Sequence, residues 1–539
     1  MTEQLDTIIE QELDVSDPQD EVLQARSDRN LFLAGIGSGK SHIIAFLAAF
    51  ILLNYPRLIQ FIGANTYGQL SKSTLKRCFD VWLGVFNWSK GRDFVVDTIP
   101  PEHFTRYGAP LKSYENTICF ANGAMIFTAS LDNYKMIDGT EFAVAYLDET
   151  KDTKEEAVKE VITARLRQPG LYLNHLDELF GQDEYNENIA AGRWRLAVDA
   201  EGDMQLLDEA GRNVRSWNPL YIFTSPAKVD WLNLWFKLTN DYEAISKKIF
   251  SKTDFYHKAT PELSVTISST YHNQSKLPVG FIKRQLDAHA GNQNRIDMLI
   301  YGSPIAKAGG EFVPSFNRLE HVKRVEFNPD EVAHLTFDFN VVRYMSLLCS
   351  QLVTGLDGRL KLRVFKEYAL GAPRNKTQAV CDAFLKDYAW QLFNGLYYYG
   401  DPAGKARQTV STEYENNYDV IDQALAGYVG NYSDRVATHA PSIVKSRDFV
   451  NNLFEGVYGI DVEIDEGCEL FIHDLEYTRE GPDGKMLKPK YKDPLTKQTY
   501  ERLGHLLDAF RYLVVQLLYD YYQQLLTSQQ THDQYDPED

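Results

Sequence analysis

Residues 34–41 of the chain read AGIGSGKS, and this stretch decides the fold of the N-terminal half. The apolar run LFLA at residues 31–34 leads into it, and SHIIAFLAAFILL at residues 41–53, which reads as a helix, follows it. A strand, a glycine-rich loop and a helix in this order are the setting that a phosphate-binding loop requires. The sequence therefore predicts a nucleotide-binding site at this loop.

The residue types in the loop suit a bound triphosphate. The glycines let successive backbone amides point into one hollow, to which the helix N-terminus adds its positive end. Lys40 would neutralise the β and γ phosphates, and the hydroxyl of Ser41 would ligate Mg²⁺. Ala34 stands where the G-x-x-x-x-G-K-[ST] pattern begins with glycine, a change that we expect the loop to tolerate. The expected nucleotide-binding residues of the loop are Gly35, Gly37, Ser38, Gly39, Lys40 and Ser41.

A second apolar strand ends in two carboxylates, because residues 142–150 read FAVAYLDET. Asp148 is placed at the strand end to hold Mg²⁺ through water, and Glu149 to polarise the water that attacks the γ-phosphate. Alone, an apolar strand that ends in Asp-Glu usually marks a solvated strand end, just as a glycine turn can precede Lys-Ser by chance. Together, the loop and the strand predict a site that hydrolyses ATP.

Five further residues are weaker candidates for the same site. The run at residues 220–224 ends in Thr224 and Ser225, whose hydroxyls could sense hydrolysis, although a plain turn is the simpler interpretation. Arg165 and Arg167 are candidates for the second cation that phosphoryl transfer requires, but arginines on an amphipathic helix are more often surface residues. Gln24 precedes the first strand and could pair with an adenine edge.

The apolar pattern indicates an α/β protein of several domains. Runs at residues 31–34, 58–63, 124–129, 142–147 and 220–224, separated by helical stretches, predict a mainly parallel sheet. Later runs at residues 334–341, 343–352 and 361–368 predict a meander, followed by a helix at 376–393, a strand at 395–400 and a helix at 500–523. The expected domains are an N-terminal arm (1–25), a nucleotide-binding domain (26–245) with a surface insertion (170–218), a connector (246–325), a second domain (326–525) and a polar tail (526–539).

The composition of the 539 residues restricts the class of protein. With 56 Lys and Arg against 75 Asp and Glu, the formal net charge is −19, so nucleic acid could be bound only through local basic patches or metal ions. Five cysteines, far apart in the sequence, fit a reduced, intracellular compartment. The acidic N-terminus lacks a signal-peptide pattern, and no apolar stretch is long enough to cross a bilayer, so we expect a soluble protein.

Three aspartates of the C-terminal half lie where a metal site could form. Asp338 lies in the first strand of the meander, Asp401 ends an apolar-aromatic strand, and Asp508 lies on the last helix beside His505. Two Mg²⁺ or Mn²⁺ ions about 3.5–4 Å apart need several converging carboxylate oxygens. A chain with 75 acidic residues places three aspartates in this way easily, so the spacing alone is weak support.

A lysine-rich stretch lies between these aspartates. Residues 485–497 read KMLKPKYKDPLTK and carry five lysines with proline and tyrosine among them. Such a stretch could contact DNA phosphates, and a solvated loop is an equally good interpretation. The candidate DNA contacts are Lys485, Lys488, Lys490, Lys492 and Lys497.

Taken together, these motifs resemble the large terminase subunit of tailed bacteriophages. The resemblance runs from about residue 24 to 515 and includes NGAMIFTASLDNYKMIDGTEFAVAYLDET (122–150), FDFNV (337–341), YGDPAG (399–404) and HLLDAFRYL (505–513). It implies an N-terminal P-loop ATPase of the additional-strand type, with a mainly parallel sheet, followed by a C-terminal ribonuclease H-like nuclease. Such proteins pump double-stranded DNA through a portal into a procapsid and cut concatemeric DNA into genome units.

The resemblance also implies roles, cofactors and partners. Lys40, Ser41 and Asp148 would bind ATP and Mg²⁺, Glu149 would be catalytic, and the pair at 224–225 would couple hydrolysis to movement. Asp338, Asp401 and Asp508 would be nuclease carboxylates holding two Mg²⁺ or Mn²⁺ ions. Expected partners are DNA, the portal protein and the small terminase subunit. The expected location is the host cytoplasm, transiently the portal vertex and not the mature virion, and the expected assembly is a monomer in solution that forms a homo-oligomeric ring on the portal.

Two other functions remain open from the sequence. One is a different P-loop DNA-dependent ATPase, such as a helicase-like protein, whose C-terminal domain only clamps DNA; further arginine-lined helicase motifs would favour it, and we find none clearly. The other is a non-enzymatic assembly protein with vestigial sites, against which the intact Lys40 and Glu149 argue. Many terminases also carry an arginine inside the phosphate-binding loop, where this chain has Ile36, so the arginine that completes the ATPase site is open.

Overall fold

The computed structural model describes residues 13–137, 139–199, 202–226, 230–305, 309–339, 344–355, 357–406, 416–492 and 498–533. The chain divides between residues 308 and 309 into two compact units. Among the described residues, no helix is both long and apolar enough to span a membrane.

The first unit alternates strands with helices. Its strands in the described ranges are β1 (Arg29–Ala34), β2 (Ile59–Ala64), β3 (Phe94–Val96), β4 (Thr117–Phe120), β5 (Met125–Ser130), β6 (Val144–Asp148), β7 (Leu171–Leu173), β8 (Leu179–Gly181), β9 (Trp194–Val198), β10 (Met204–Asp208), β11 (Asn213–Ser216), β12 (Leu220–Thr224), β13 (Tyr256–Ala259) and β14 (Leu263–Ser268). Its helices are α1 (Asp17–Gln24), α2 (Lys40–Asn54), α3 (Tyr67–Gln69), α4 (Lys76–Phe86), α5 (Thr163–Arg165), α6 (Gln182–Ala190), α7 (Asp230–Trp235), α8 (Tyr242–Ile249), α9 (Phe281–Ala288) and α10 (Gln293–Leu299), with π-helical segments at Leu70–Leu75 and Ala157–Ile162.

The main sheet of this unit has nine strands in the order β13-β14-β1-β12-β6-β2-β5-β4-β3. The run from β14 to β5 is parallel, and the outer strands pair antiparallel. Its central strands are apolar and buried along most of their length, because separate hydrophobic clusters cover the two faces. Strand β12 lies between the loop-bearing β1 and the acidic β6. This extra central strand confirms the expected additional-strand architecture.

The connector expected at residues 246–325 differs in the structure. Strands β13 and β14 of this range belong to the main sheet, where β14 pairs with β1, and the two units divide at residue 308. The strand β14, LSVTIS, is buried at every position although half of its residues are polar. Hydroxyls of this strand have partners inside the protein; for example, Thr266 Oγ1 lies 2.9 Å from His257 Nδ1. Because hydrogen-bonded hydroxyls can be buried, the sequence of this buried strand shows no continuous apolar run.

Two other expectations gain detail in the structure. The surface insertion at residues 170–218 forms a five-stranded antiparallel sheet, in the order β8-β7-β11-β10-β9, around a small aromatic cluster. The N-terminal arm contains helix α1, of which Gln19 and Val22 are buried, so its described part packs as a structured element.

The second unit has its own sheet and helical layers. Its described strands are β15 (Val322–Lys323), β16 (Ala333–Asp338), β17 (Tyr344–Thr354), β18 (Leu360–Gly371), β19 (Leu396–Gly400), β20 (Tyr432–Asp434), β21 (Ile460–Asp465), β22 (Arg479–Glu480), β23 (Met486–Leu487), β24 (Lys490–Lys492) and β25 (Thr499–Glu501). Its helices are α11 (Arg318–His321), α12 (Thr377–Tyr388), α13 (Asn417–Ala426), α14 (Ile443–Phe454), α15 (Glu469–Tyr477), α16 (His505–Leu517) and α17 (Tyr519–Asp533).

The seven-stranded sheet has the order β15-β21-β18-β17-β16-β19-β20. Strands β16, β17 and β18 form the expected antiparallel meander, and β19 and β20 continue parallel to β16. Neighbouring residues such as Leu347 and Leu348 belong to different hydrophobic clusters, so helices cover both faces. This order confirms the ribonuclease H-like fold. The tail expected from residue 526 starts later, because α17 continues to Asp533.

Candidate active sites

The phosphate-binding loop joins β1 to α2 and is held by side chains from other segments. Gly37 and Gly39 have φ values of +72° and +80°, the left-handed region that glycine adopts without strain. The side chains of Gln19 and Asn273 donate hydrogen bonds of 2.7 Å to the carbonyls of Ser38 and Gly37. These bonds hold the loop from outside it, and a glycine-rich loop before a helix is a setting in which backbone amides can bind an anion.

Lys40 is buried at the bottom of the loop. Its Nζ donates to the Ala34 carbonyl at 3.2 Å and to the Ser225 hydroxyl at 3.0 Å, and it lies 3.8 Å from the Glu149 carboxylate. Burial lowers the pKa of Lys40, and the charges of Glu149 and Asp148 oppose that shift. A buried ammonium with such a mixed set of partners is suited to exchange them for phosphate oxygens.

Asp148 ends β6 beside Ser41. The Ser41 hydroxyl donates to Asp148 Oδ2 at 2.9 Å, and the Thr74 hydroxyl donates to the same oxygen at 2.7 Å. Asp148 Oδ1 is buried and accepts no hydrogen bond from the described residues. Burial raises the pKa of Asp148, and these two hydrogen bonds oppose the shift. A carboxylate oxygen without a donor next to a hydroxyl fits a hard cation such as Mg²⁺.

Glu149 and the end of β12 complete this edge of the sheet. Glu149 adopts φ +50°, an uncommon conformation for a residue other than glycine that is typical of functional positions. Its carboxylate lies between Lys40 and Lys151, and the Ser225 hydroxyl is 3.5 Å from Oε1. Thr224 Oγ1 accepts a hydrogen bond of 3.1 Å from the Lys151 amide. The parallel register of β1, β12 and β6 brings all these groups to one edge.

A cavity of about 860 Å³ opens over the loop. Of the predicted residues, its lining includes Gly37, Ser38, Gly39, Lys40, Ser41 and Glu149. The lining also includes cations that the sequence did not single out: Lys72, Lys76, Arg77 and Lys276. Three of these residues, Lys72, Lys76 and Arg77, lie in a basic stretch after β2. A surface helix would show the same basic pattern, so the sequence alone did not mark them as site residues.

Three of the weaker candidates lie away from this cavity. Arg167 is about half exposed and pairs with Glu141 at 2.7 Å, and neither it nor Arg165 is in the cavity lining. Gln24 lines a separate, mainly apolar cavity of about 400 Å³, and Gln19, one helix turn earlier, contacts the phosphate-binding loop instead. Gln19, and not Gln24, contacts the loop because Gln19 lies on the buried face of α1.

In the second unit, Asp338 and Asp401 end neighbouring parallel strands. The Asp401 amide donates to the Phe337 carbonyl at 3.2 Å, and Asp401 Oδ1 accepts from the Ala403 amide at 2.9 Å. Asp338 Oδ2 lies 3.1 Å from His505 Nδ1 on α16. Burial raises the pKa of Asp338, and the hydrogen bond from His505 opposes the shift.

Asp508 on α16 is held by two basic side chains. Lys488 Nζ lies 2.7 Å from Asp508 Oδ2, and the buried Arg511 guanidinium bonds Oδ1 and also donates to the Ser446 hydroxyl at 2.8 Å. Although burial alone would lower the pKa of Lys488, the charge of Asp508 raises it. Burial first, and then the charges of Asp508, Asp401 and Asp338, raise the pKa of Tyr512.

The expected two-metal site is not formed in this arrangement. Among the described residues, no group of three or more His, Cys, Asp and Glu side chains is close enough to hold a metal ion. The three aspartates share one end of the sheet, but Lys488 and Arg511 neutralise Asp508. The oxygen donors suit Mg²⁺ or Mn²⁺ in type, and a cation that used Asp508 would have to displace Lys488 or Arg511 from its oxygens.

The lysine-rich stretch contributes two short strands, of which β23 pairs antiparallel with β22 and β24 pairs antiparallel with β25. Lys485, Lys490 and Lys492 are exposed, as a DNA-contacting surface would require. Lys488 instead turns inward to Asp508 and is 22% exposed. Lys497 lies outside the described residues.

Comparison with known proteins gives one family match. Residues 31–170 match the family "Terminase large subunit, T4likevirus-type, N-terminal". No curated protein sequence matches the chain. The family match covers the loop, β6 and the carboxylates that follow it.

Several solved terminase structures are similar at low identity. The HK97 bacteriophage large terminase has 12% identity and a TM-score of 0.37, over 94% of this chain and 96% of that one. The large terminase of the thermophilic bacteriophage D6E has 14% identity and a TM-score of 0.33, over 94% and 100%. The P22 large terminase nuclease domain has 14% identity and a TM-score of 0.26, over 39% and 93%. With TM-scores below 0.5, these likenesses decide nothing about the sites. The family match therefore agrees, over residues 31–170, with the resemblance to phage terminase large subunits that the motifs indicate.

Proposed function

We propose that this chain is the motor subunit of a DNA-packaging machine, which hydrolyses ATP in its first unit and cuts DNA in its second. The observation that carries the proposal is the assembly of Lys40, Asp148, Glu149 and Ser225 at one sheet edge beside a cavity of about 860 Å³. A cavity of this size accommodates a nucleoside triphosphate. The match of residues 31–170 to a terminase large-subunit family supports the packaging role.

In the proposed hydrolysis, each group at the edge has one task. The loop amides and Lys40 bind the β and γ phosphates, and Mg²⁺, held by Ser41 and Asp148, would neutralise phosphate charge when bound. Glu149 orients and polarises the attacking water. Ser225 bridges Lys40 and Glu149, so a change at the γ-phosphate would reach β12 through a single hydroxyl.

The second cation of the site is best supplied by Arg77. It lines the cavity, and the candidates Arg165 and Arg167 do not. His42, which follows Ser41, lines the same cavity as Arg77, and burial first, and then the charge of Arg77, lower the pKa of His42. We therefore assign to Arg77 the neutralisation of the transferred phosphoryl group, which the loop residue Ile36 is unable to provide.

For the second unit we propose DNA cleavage at the sheet end that carries Asp338, Asp401 and Asp508. Its support is the ribonuclease H-like strand order, with two of the aspartates ending adjacent strands. One observation favours the alternative of a DNA clamp that does not cut, namely the neutralisation of Asp508 by Lys488 and Arg511. Metal dependence, with Mg²⁺ or Mn²⁺, is part of the proposal.

The remaining parts of the proposal concern partners. Double-stranded DNA would be contacted by the exposed Lys485, Lys490 and Lys492. The portal protein, the small terminase subunit and further copies of this chain in a ring are the proposed protein partners, at the portal vertex in the host cytoplasm.

The ATPase part is tested by phosphate release together with equilibrium binding of a fluorescent ATP analogue. Glu149→Gln should bind the analogue with near-wild-type affinity and lose about 100-fold or more in kcat. Lys40→Ala should weaken binding as well. Wild-type protein that neither binds nor hydrolyses ATP would refute the proposal. For the nuclease part, Asp338→Asn should abolish Mn²⁺-dependent plasmid cleavage, and unchanged cleavage would favour a different site.

A further inference from the structure

Thr74 contacts the candidate Mg²⁺-binding aspartate from a segment with no place in the expected motifs. It lies in the π-helical segment Leu70–Leu75, which continues into α4. Both Thr74 and Asp148 are buried, and the hydroxyl donates to Asp148 Oδ2 at 2.7 Å. Single π-helical turns are uncommon and frequently mark functional sites.

The segment is anchored so that this contact is fixed. Leu70, Cys78 and Trp82 on the same buried face pack into the hydrophobic core, and the Trp82 indole donates to the Ala45 carbonyl of α2 at 3.1 Å. A hydroxyl on such an apolar face costs free energy unless it is hydrogen-bonded. The bond to Asp148 satisfies it, whereas an apolar residue of the same shape would pack there without that requirement.

The two hydroxyls that donate to Asp148 Oδ2 are held in place in different ways. Ser41 is itself an expected cation ligand, so its position depends on the cation. Thr74 is held by the core of the protein and therefore fixes the carboxylate before a cation arrives. With Oδ2 engaged twice, the free and buried Oδ1 is the oxygen left for the cation.

We propose that Thr74 is a positioning residue, which holds the Asp148 carboxylate in the orientation that Mg²⁺ binding requires. The inference rests on the proposed ATPase function and deepens it. Partners of this kind typically change metal affinity 10- to 100-fold when removed. The residue acts through Asp148, so its loss should affect the dependence on Mg²⁺ and leave the metal-independent part of nucleotide binding intact.

The experiment compares Thr74→Val, which keeps the shape, with Thr74→Ser, which keeps the hydroxyl. Binding of a fluorescent ATP analogue is titrated in EDTA and against Mg²⁺. The valine variant should need about 10-fold or more Mg²⁺ for half-maximal binding and show unchanged affinity in EDTA, and the serine variant should behave as wild type. Thr128→Val is the matched control, because Thr128 is a buried threonine on β5 whose hydroxyl bonds a backbone carbonyl at 3.2 Å.

Three results would overturn the inference: an unchanged Mg²⁺ requirement in the valine variant, an equal loss of affinity in EDTA, or a serine variant as impaired as the valine variant. If the valine variant does not fold, Thr74→Ala removes the hydroxyl without adding volume. The same titration in EDTA and against Mg²⁺ is then applied to the alanine variant, with the same expected results. Wild-type protein that binds no nucleotide would refute the proposed function itself, which separates that failure from a failure at Thr74 alone.

Discussion

Replacing Lys488 with methionine should make the second unit bind Mn²⁺ more tightly. In the structure, Lys488 Nζ lies 2.7 Å from Asp508 Oδ2 and 3.5 Å from Glu501 Oε2, and the side chains of Lys488 and Asp508 are 22% and 12% exposed. A divalent cation that used Asp508 would have to compete with this ammonium. Methionine keeps most of the length and the apolar character of the lysine stem and removes the charge.

The magnitude follows from the strength of the displaced contact. A hydrogen bond to a charged group contributes about 1.5–3 kcal/mol net. Each 1.4 kcal/mol corresponds to a tenfold change in an equilibrium constant, so removing the competitor should tighten Mn²⁺ binding about 10- to 100-fold. Arg511 remains on Asp508 in the variant, which keeps that carboxylate from being left without any partner.

The assay is isothermal titration of Mn²⁺ into the full chain, with cleavage measured separately. Lys485→Met is the matched control, because Lys485 lies in the same lysine-rich stretch, is 57% exposed and pairs at the surface with Asp483 at 3.3 Å. It should bind Mn²⁺ as the wild type does. Equal affinity in Lys488→Met and wild type, or weaker binding in Lys488→Met, would refute the competition.

Three further predictions concern other parts of the chain. Arg77→Ala should lower the kcat of ATP hydrolysis about 100-fold, measured by phosphate release, while Arg167→Ala leaves it unchanged; equal effects would contradict the assignment. Gly35→Ala would bring a Cβ within 2.5 Å of the Ile300 carbonyl oxygen, so thermal unfolding should show a loss of about 1–3 kcal/mol, and wild-type stability would contradict this packing. Burial raises the pKa of Glu367 to about 7 from an ordinary 4.5. Between these pH values the folded state holds a proton on Glu367 that the unfolded state has lost. The free energy of unfolding should therefore fall by on the order of 3 kcal/mol as pH rises from about 4.5 to 7. Glu367→Gln should remove that slope in urea unfolding, and a slope that persists would contradict it.

The sequence predicted the parts of the fold whose signal is local. The loop at 34–41 and the strand at 142–148 carry glycines, a lysine and carboxylates in a fixed order, and their apolar flanks define strands that must be buried. Because parallel strands end at one edge, the meeting of Ser41 with Asp148 follows from the pattern. The meander of the second unit was predicted for the same reason, since its strands alternate and lie close in sequence.

What the sequence did not indicate depends on tertiary placement. Strand β14 reads as polar in the sequence, yet every position of it is buried. Polar residues can be buried there because their hydroxyls are hydrogen-bonded inside the protein. Gln19 and Thr74 contact the nucleotide site only because α1 and the π-helical segment pack against it. Lys488 is one of five lysines in a basic stretch. Composition does not show which of the five turns inward, because the contact of Lys488 with Asp508 depends on how the chain folds.

The most direct test of the two-site account is a crossed measurement on two variants of the full chain. ATP hydrolysis and Mn²⁺-dependent plasmid cleavage are measured in the same preparations of Glu149→Ala and Asp401→Ala. The account predicts that Glu149→Ala loses hydrolysis and keeps cleavage, and that Asp401→Ala loses cleavage and keeps hydrolysis. If each variant retains both activities, or if one substitution abolishes both in folded protein, two separate catalytic sites are contradicted.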